Sequence, residues 1–182
     1  MTAVAVPIGL RVRDATDADN AALIGLAAAC TMQGHIALRV ERGPEFFALN
    51  RLEGEAWRVG VATNAAGHVL GCVAIARRLA YVNGSERPIA YVSDLKVHPT
   101  ARGSGAADLL TQYACETAAE LCGASAPLLA TILAGNAAME NRARTAPRAS
   151  AVTVCIAGDR CYSAALGTAT SPRPSCAHGR HE

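Results

Sequence analysis

The stretch Tyr91-Val92-Ser93-Asp94-Leu95-Lys96-Val97-His98-Pro99-Thr100-Ala101-Arg102-Gly103-Ser104-Gly105-Ala106-Ala107-Asp108-Leu109-Leu110 decides how this chain is read. It runs as a strand, a proline, a glycine-bearing turn and the start of a long helix. The apolar spacing of that helix continues through Tyr113, Ala114, Thr117 and Leu121 to a stop at Gly123. A helix start presents unpaired backbone N–H groups and the positive end of the macrodipole, and glycine lets a phosphate come close to the main chain. Gly103, Ser104, Gly105, Ala106 and Ala107 are therefore read as a cradle for a diphosphate, with Arg102 fixing the turn or adding charge. No G-K-[ST] follows, which excludes a Walker loop, and the upstream strands are hairpin-linked, which disfavours a dinucleotide-binding β-α-β unit.

Upstream, Leu10-Arg11-Val12-Arg13 alternates as a strand, Asp14 to Asp17 supplies capping oxygens, and Ala21 to Cys30 has helical spacing. Gly34 offers an exit from that helix, and His35 to Val40 reads as a short strand. Pro44 opens a single short helix through Phe46, Phe47 and Leu49. Trp57 to Thr63, Val69 to Val82 and Ile89 to Val97 form an antiparallel meander, its second turn marked by Asn83-Gly84. Downstream, Pro127 to Leu133 reads as a buried strand and Asn136 to Arg144 as a helix. Ala151 to Ile156 and Arg160 to Leu166 could form two strands around Gly158-Asp159, followed by a loose tail. The domain reading is 1–145 for one folded domain, 146–168 for a terminal β-hairpin and 169–182 for the tail.

Composition narrows the classes. The 182 residues are 51% hydrophobic and 18% charged, with a net charge of +2, which fits one domain with a real core and no disordered polymer. Lys96 is the only lysine, so 16 of the 17 basic side chains are arginine, and these are scattered along the chain. No footprint for nucleic acid or an anionic membrane follows. The seven cysteines show no C-x-x-C and no paired spacing with histidine, so neither a metal site nor a disulfide framework is expected. His178 and His181 lack carboxylate or cysteine partners and make a poor metal site. With no convincing leader and no apolar run of about 18 to 20 residues, the expectation is a cytoplasmic protein.

In this context, Val97-His98-Pro99 followed by Arg102, Gly105 and Ala107 resembles motif A, [QR]-x-x-G-x-[GA], of the GNAT superfamily of acyl-CoA-dependent N-acetyltransferases. The resemblance covers roughly residues 10 to 145. It implies an α+β fold: a mostly antiparallel mixed sheet flanked by helices, with the glycine turn opening the central helix. It implies acetyl-CoA as co-substrate, no metal, main-chain N–H groups from Arg102 to Ala107 on the diphosphate, and backbone near Leu95 and Val97 on the pantetheine amides. Asn136 is placed near the cofactor arm, and the implied partner is a small-molecule or peptide amine. Met32 to Ile36 with Pro44 to Phe47 also resembles a branch of longer tandem-domain relatives, in which this chain would correspond to the first half.

Acetyl transfer needs a base for the amine, a donor for the thioester oxyanion and an acid for the thiolate. Asp94 resembles the acid that many relatives carry on this strand. Strand alternation leaves open that it faces away from the pocket and pairs with Lys96 or Arg78. Tyr91 occupies a place where several relatives carry a glutamate base, as a base or as a wall residue. The oxyanion donor would be a main-chain N–H near Val97. Relatives often place a tyrosine seven residues after the asparagine; here that position is Ala143. That departure keeps open a non-catalytic acyl-CoA-binding or regulatory module beside the enzyme.

Overall fold

The computed structural model describes residues 9–31, 37, 39–133, 135–145, 152–157 and 161–164. A seven-stranded sheet takes its strands in chain order: β1 (Arg11–Asp14), β2 (Ala56–Thr63), β3 (Val69–Val82), β4 (Ser85–Val97), β5 (Leu128–Leu133), β6 (Val152–Ala157) and β7 (Cys161–Ala164). The pairs β1–β2, β2–β3, β3–β4 and β6–β7 are antiparallel, whereas β4–β5 and β5–β6 are parallel. Helices α1 (Asn20–Ala29) and α2 (Asn50–Glu53) cover one face; α3 (Ala106–Cys122) covers the other, and α4 (Ala137–Thr145) follows β5. The fold is thus α+β, with a mixed, mostly antiparallel sheet and the glycine turn at the head of α3.

Side-chain alternation sorts the core into two layers. Val59 and Val61 of β2 and Cys72 and Ala74 of β3 meet Leu23, Leu26, Phe46 and Phe47 on the α1 face. Val73, Ile75 and Ala90 meet Leu110, Ala114 and Ala118 of α3 on the other. Two glycines let α3 lie close: a Cβ on Gly60 would stand 2.4 Å from the Tyr113 ring, and one on Gly71 would stand 2.9 Å from Leu110 Cδ1. The β3–β4 hairpin turns at Asn83 (φ 53) and Gly84 (φ 80), the two positive φ values that an Asn-Gly turn accommodates.

Several local expectations change. Residues 37, 39 and 40 carry no strand, while 35, 36 and 38 lie outside the described residues, as does Gly34. The single helix after Pro44 is instead a 3-10 turn, Phe46–Ala48, followed by α2, because both phenylalanines are drawn into the core and bend the segment onto it. β4 starts at Ser85, four residues before the apolar run at Ile89, since ladder bonds and not burial hold its exposed start. Residues 1–8, Met32 to Ile36, Gly158-Asp159 and 165–182 lie outside the described residues, and with them the expected tail, including His178 and His181, and the first part of the tandem-domain resemblance. Among the described residues no helix is long and apolar enough to cross a membrane.

The β1–α1 corner carries a pH-dependent contribution. Asp19 accepts from both guanidinium nitrogens of Arg13, at 2.7 and 2.8 Å, and from the Thr16 N–H at 2.8 Å. These bonds, Arg13 first, hold its carboxyl at about 2 against an ordinary 3.8. A depressed acid stabilises the fold above its unfolded pKa and loses that contribution as pH falls through the folded one. Because Arg13 is half exposed, we expect Asp19→Asn to cost about 1–2 kcal/mol at pH 7. Urea melts of the variant should converge on the parent between pH 4 and about 2; a difference that stays constant with pH refutes the linkage.

Candidate functional site

The site grows from two irregularities of β4. The first is a bulge. Ala74 pairs with Ser93 and Cys72 with Lys96, so Asp94 and Leu95 together stand opposite Val73. Asp94 takes φ 52, a left-handed conformation that Asp tolerates better than most side chains. The extra residue breaks alternation, so Ser93, Asp94 and Lys96 engage groups on the α1 face while Leu95 and Val97 pack toward α3.

The second irregularity is a parting of strands. β4 pairs with β5 only through Ala90, Val92 and the intervening Tyr91; beyond them β4 runs to Val97 and β5 to Leu133 unpaired with each other. The gap leaves strand-edge backbone groups without ladder partners. His98, Pro99 and Arg102 then turn the chain into α3.

At the head of α3, Gly103 (φ 79) and Gly105 (φ 84) both take left-handed conformations that a side chain would strain. The Ser104 N–H donates to the Ala101 carbonyl at 3.2 Å and the Ala106 N–H to Ser104 Oγ at 3.4 Å; those of Asp108 and Leu109 go to the Gly105 carbonyl. The N–H groups of Gly103, Gly105 and Ala107 take part in none of these bonds. A Cβ on Gly103 would meet open space. Free donors at a 17-residue helix N-terminus fit a diphosphate. Arg102 is exposed, and its own N–H is taken by the Pro99 carbonyl at 3.4 Å.

On the other side of the gap, Asn136 caps α4: its Oδ1 accepts from the Met139 N–H at 3.3 Å, and its carbonyl from the Glu140 N–H at 2.9 Å. Arg142 of α4 donates to Asp108 Oδ1 at 2.8 Å, tying α4 to the first turn of α3. Ala143 lies within α4.

The α1 face of β4 holds two adjacent groups of polar contacts. The Asp94 carboxylate accepts from Arg42 Nη2 and from Lys96 Nζ. Next to it, Ser93 Oγ donates to Glu53 Oε2 at 2.9 Å, and Asn50 Nδ2 donates to the same oxygen at 3.1 Å. Asn20 holds this layer together, accepting from the Phe46 N–H at 2.8 Å and donating to the Pro44 carbonyl at 3.1 Å. Phe46, fully buried, then lies 4.5 Å beneath the Arg42 guanidinium. Burial pulls both Arg42 and Lys96 below their ordinary values, and it pushes the Cys72 thiol beside them up to about 12, which leaves that thiol unreactive at neutral pH. Cys30 Sγ sits 3.4 Å from the Val97 carbonyl oxygen, to which it donates.

Of the residues read from sequence, Leu95, Val97 and Arg102 to Ala107 gather at the gap and the helix head. Asp94 pairs with Lys96 and, in place of Arg78, with Arg42. Arg78 instead lies 4.4 Å over the Tyr91 ring and donates through Nε to the Glu53 carbonyl, which makes Tyr91 a half-buried wall beneath a cation. Sequence reasoning missed Arg42, Asn50, Glu53 and Ser93. No local spacing connects Arg42 with Asp94 or Glu53 with Ser93; the one signal was a lone lysine on an otherwise apolar strand end. Among the described residues no cluster of His, Cys, Asp and Glu could hold a metal ion.

A family model for the acetyltransferase (GNAT) family matches residues 26–143. No curated protein matches the sequence. Similar solved structures include a Trypanosoma brucei acetyltransferase, 20% identical over 65% of this chain and 81% of that one, TM-score 0.48. A transcriptional regulator from Bacillus halodurans is 20% identical over 66% and 79%, TM-score 0.47. An aminoglycoside antibiotic 6'-N-acetyltransferase from Acinetobacter haemolyticus is 20% identical over 60% and 72%, TM-score 0.46.

Proposed function

Since the chain belongs to the acetyltransferase (GNAT) family, we propose that it transfers the acetyl group of acetyl-CoA to an amine by direct attack in a ternary complex, in a cytoplasmic setting. The observation that carries the reading is the set of free N–H groups at Gly103, Gly105 and Ala107 beside the parted edges of β4 and β5. In this reading the helix head takes the diphosphate, backbone at Leu95 and Val97 pairs with the pantetheine arm, and a main-chain N–H near Val97 meets the thioester oxyanion. The corner at Asn136 borders the same gap.

The amine must lose a proton before it attacks. Asp94 and Tyr91 were the catalytic candidates, Tyr91 as a base or as a wall residue, but both Asp94 oxygens are engaged by cations and Tyr91 lies under Arg78. Glu53 is the better base: it is buried, lies one hydrogen bond from β4, and its Oε1 is used by neither Ser93 nor Asn50. Asp94 then acts as a positioning residue that fixes Arg42 and Lys96. α4 offers alanine at 143, so the thiolate leaves without a side-chain acid from that position. The same alanine favours the alternative of a binding module, and turnover with any amine separates the two.

Titration of acetyl-CoA into the protein tests the cradle. We expect binding by the parent and loss of at least about 100-fold in affinity in Gly105→Trp, whose side chain fills the cradle and strains φ. Circular dichroism checks that the variant is folded. A folded parent that does not bind acetyl-CoA, or a folded variant that binds it equally, overturns the assignment.

A further inference from the structure

On this face the Arg42–Asp94 ion pair and the Ser93–Glu53–Asn50 hydrogen bonds are joined through the neighbouring residues Ser93 and Asp94, and their hydrogen bonding is incomplete. Arg42 is 4% exposed and Asn50 fully buried, but Arg42 Nε, Arg42 Nη1 and Asn50 Oδ1 have no partner. Buried polar atoms without partners are costly, so a pair of orphan donors and an orphan acceptor on one face of β4 point to a ligand that supplies their partners. The donors belong to a guanidinium, whose strongest partner is a carboxylate; the acceptor suits an N–H group.

Charge points the same way. Three cations, Arg42, Lys96 and Arg78, border this face against two carboxylates, Asp94 and Glu53. Asp94 is already shared by two of the cations. Among the described residues a polycationic acceptor would meet no free acidic lining here beyond Glu53, whereas an acceptor that brings its own carboxylate answers Arg42 and balances the excess positive charge.

We propose that the acceptor is a small amino acid-like molecule whose carboxylate is held by Arg42 and whose amine lies between Asn50 Oδ1 and Glu53. The proposal rests on the acetyl-transfer reading and names its acceptor class. The ammonium gives one proton to Glu53, the nitrogen attacks the thioester carbonyl, a C–N bond forms and the C–S bond breaks. CoA leaves as thiolate and takes up the second amine proton, and Glu53 returns its own to solvent. The products are the N-acetyl amino acid and free CoA.

The test titrates alanine, glutamate and phenylalanine, their α-amides, spermidine and kanamycin into the protein by calorimetry, with and without saturating acetyl-CoA. We expect at least one amino acid to bind and its amide to bind at least about tenfold more weakly. Arg42→Met should lose the same factor while keeping acetyl-CoA affinity, which reports that it is folded, and Arg42→Lys should recover part of it. If Arg42→Met does not fold, the acid-to-amide ratio in the parent and Arg42→Lys decide. Binding of no amino acid in either condition, equal binding of acid and amide, or preference for spermidine or kanamycin overturns the proposal. Absence of acetyl-CoA binding overturns the acetyl-transfer reading, and it does so in a separate titration.

Discussion

Asp94→Asn should cost about 3–5 kcal/mol of folding stability, the loss expected when one partner is removed from a buried ion pair. The side chains of Arg42, Asp94 and Lys96 are 2%, 10% and 10% exposed. Water cannot take over the solvation of the two cations once the carboxylate between them is neutral. An amide still accepts one hydrogen bond but carries no charge, and its N–H₂ group turns donors toward donors. A domain of this size has a total stability of about 5–15 kcal/mol, so the variant should melt far below the parent or accumulate unfolded. Denaturant titration reads this directly. A variant that matches the parent in stability and loses only turnover would return Asp94 to the role of base.

Glu53→Gln should show the opposite pattern, with turnover down by roughly 10²–10⁴-fold and the fold little changed. Glutamine has the same shape, and its amide oxygen can still accept from Ser93 and Asn50, so the bonds at 2.9 and 3.1 Å survive the substitution. What disappears is the lone pair basic enough to take the ammonium proton. Release of CoA thiol with the best amine found should therefore show kcat reduced and KM for acetyl-CoA unchanged, because the contacts proposed for acetyl-CoA are main-chain groups of β4 and of the head of α3, which the substitution leaves in place. Retention of more than about a tenth of parental kcat would remove Glu53 from the mechanism. The two variants together form a contrast: one carboxylate on this face is structural and the other chemical, although they sit on or against adjacent residues of β4.

That division could not be read from the primary sequence. Asp94 looked reactive because it lies on the strand before the glycine turn, and regular alternation allowed it to point either way. The bulge opposite Val73 settled its direction. A bulge depends on how β3 and β4 pair in register, a property of two strands together. Glu53 lies just before Gly54 in the sequence, 40 residues from Ser93, with nothing local to mark it. Its meaning came only when Phe46 and Phe47 were pulled into the core and carried α2 against β2 and β3, which brings Glu53 within a hydrogen bond of Ser93 on β4.

Local chemistry, in contrast, was legible from the start. Asn83-Gly84 dictated a tight hairpin because few other residue pairs accept two positive φ values. Gly103 and Gly105 marked the helix head for the same reason, Gly123 marked its end, and periodicity gave β1 to β5, α1, α3 and α4 to within a few residues. These features follow from backbone sterics and from patterns of period 2 and 3.6, which act over a few neighbours. The family and the proposed diphosphate cradle belong to this class, since a turn and the helix it opens are contiguous in the chain. The acceptor side does not, because Arg42, Asn50, Glu53 and Asp94 come from three separate segments. Only folding, by burying apolar side chains on both faces of the sheet, brings their charges close enough in a low-dielectric interior to act on one another.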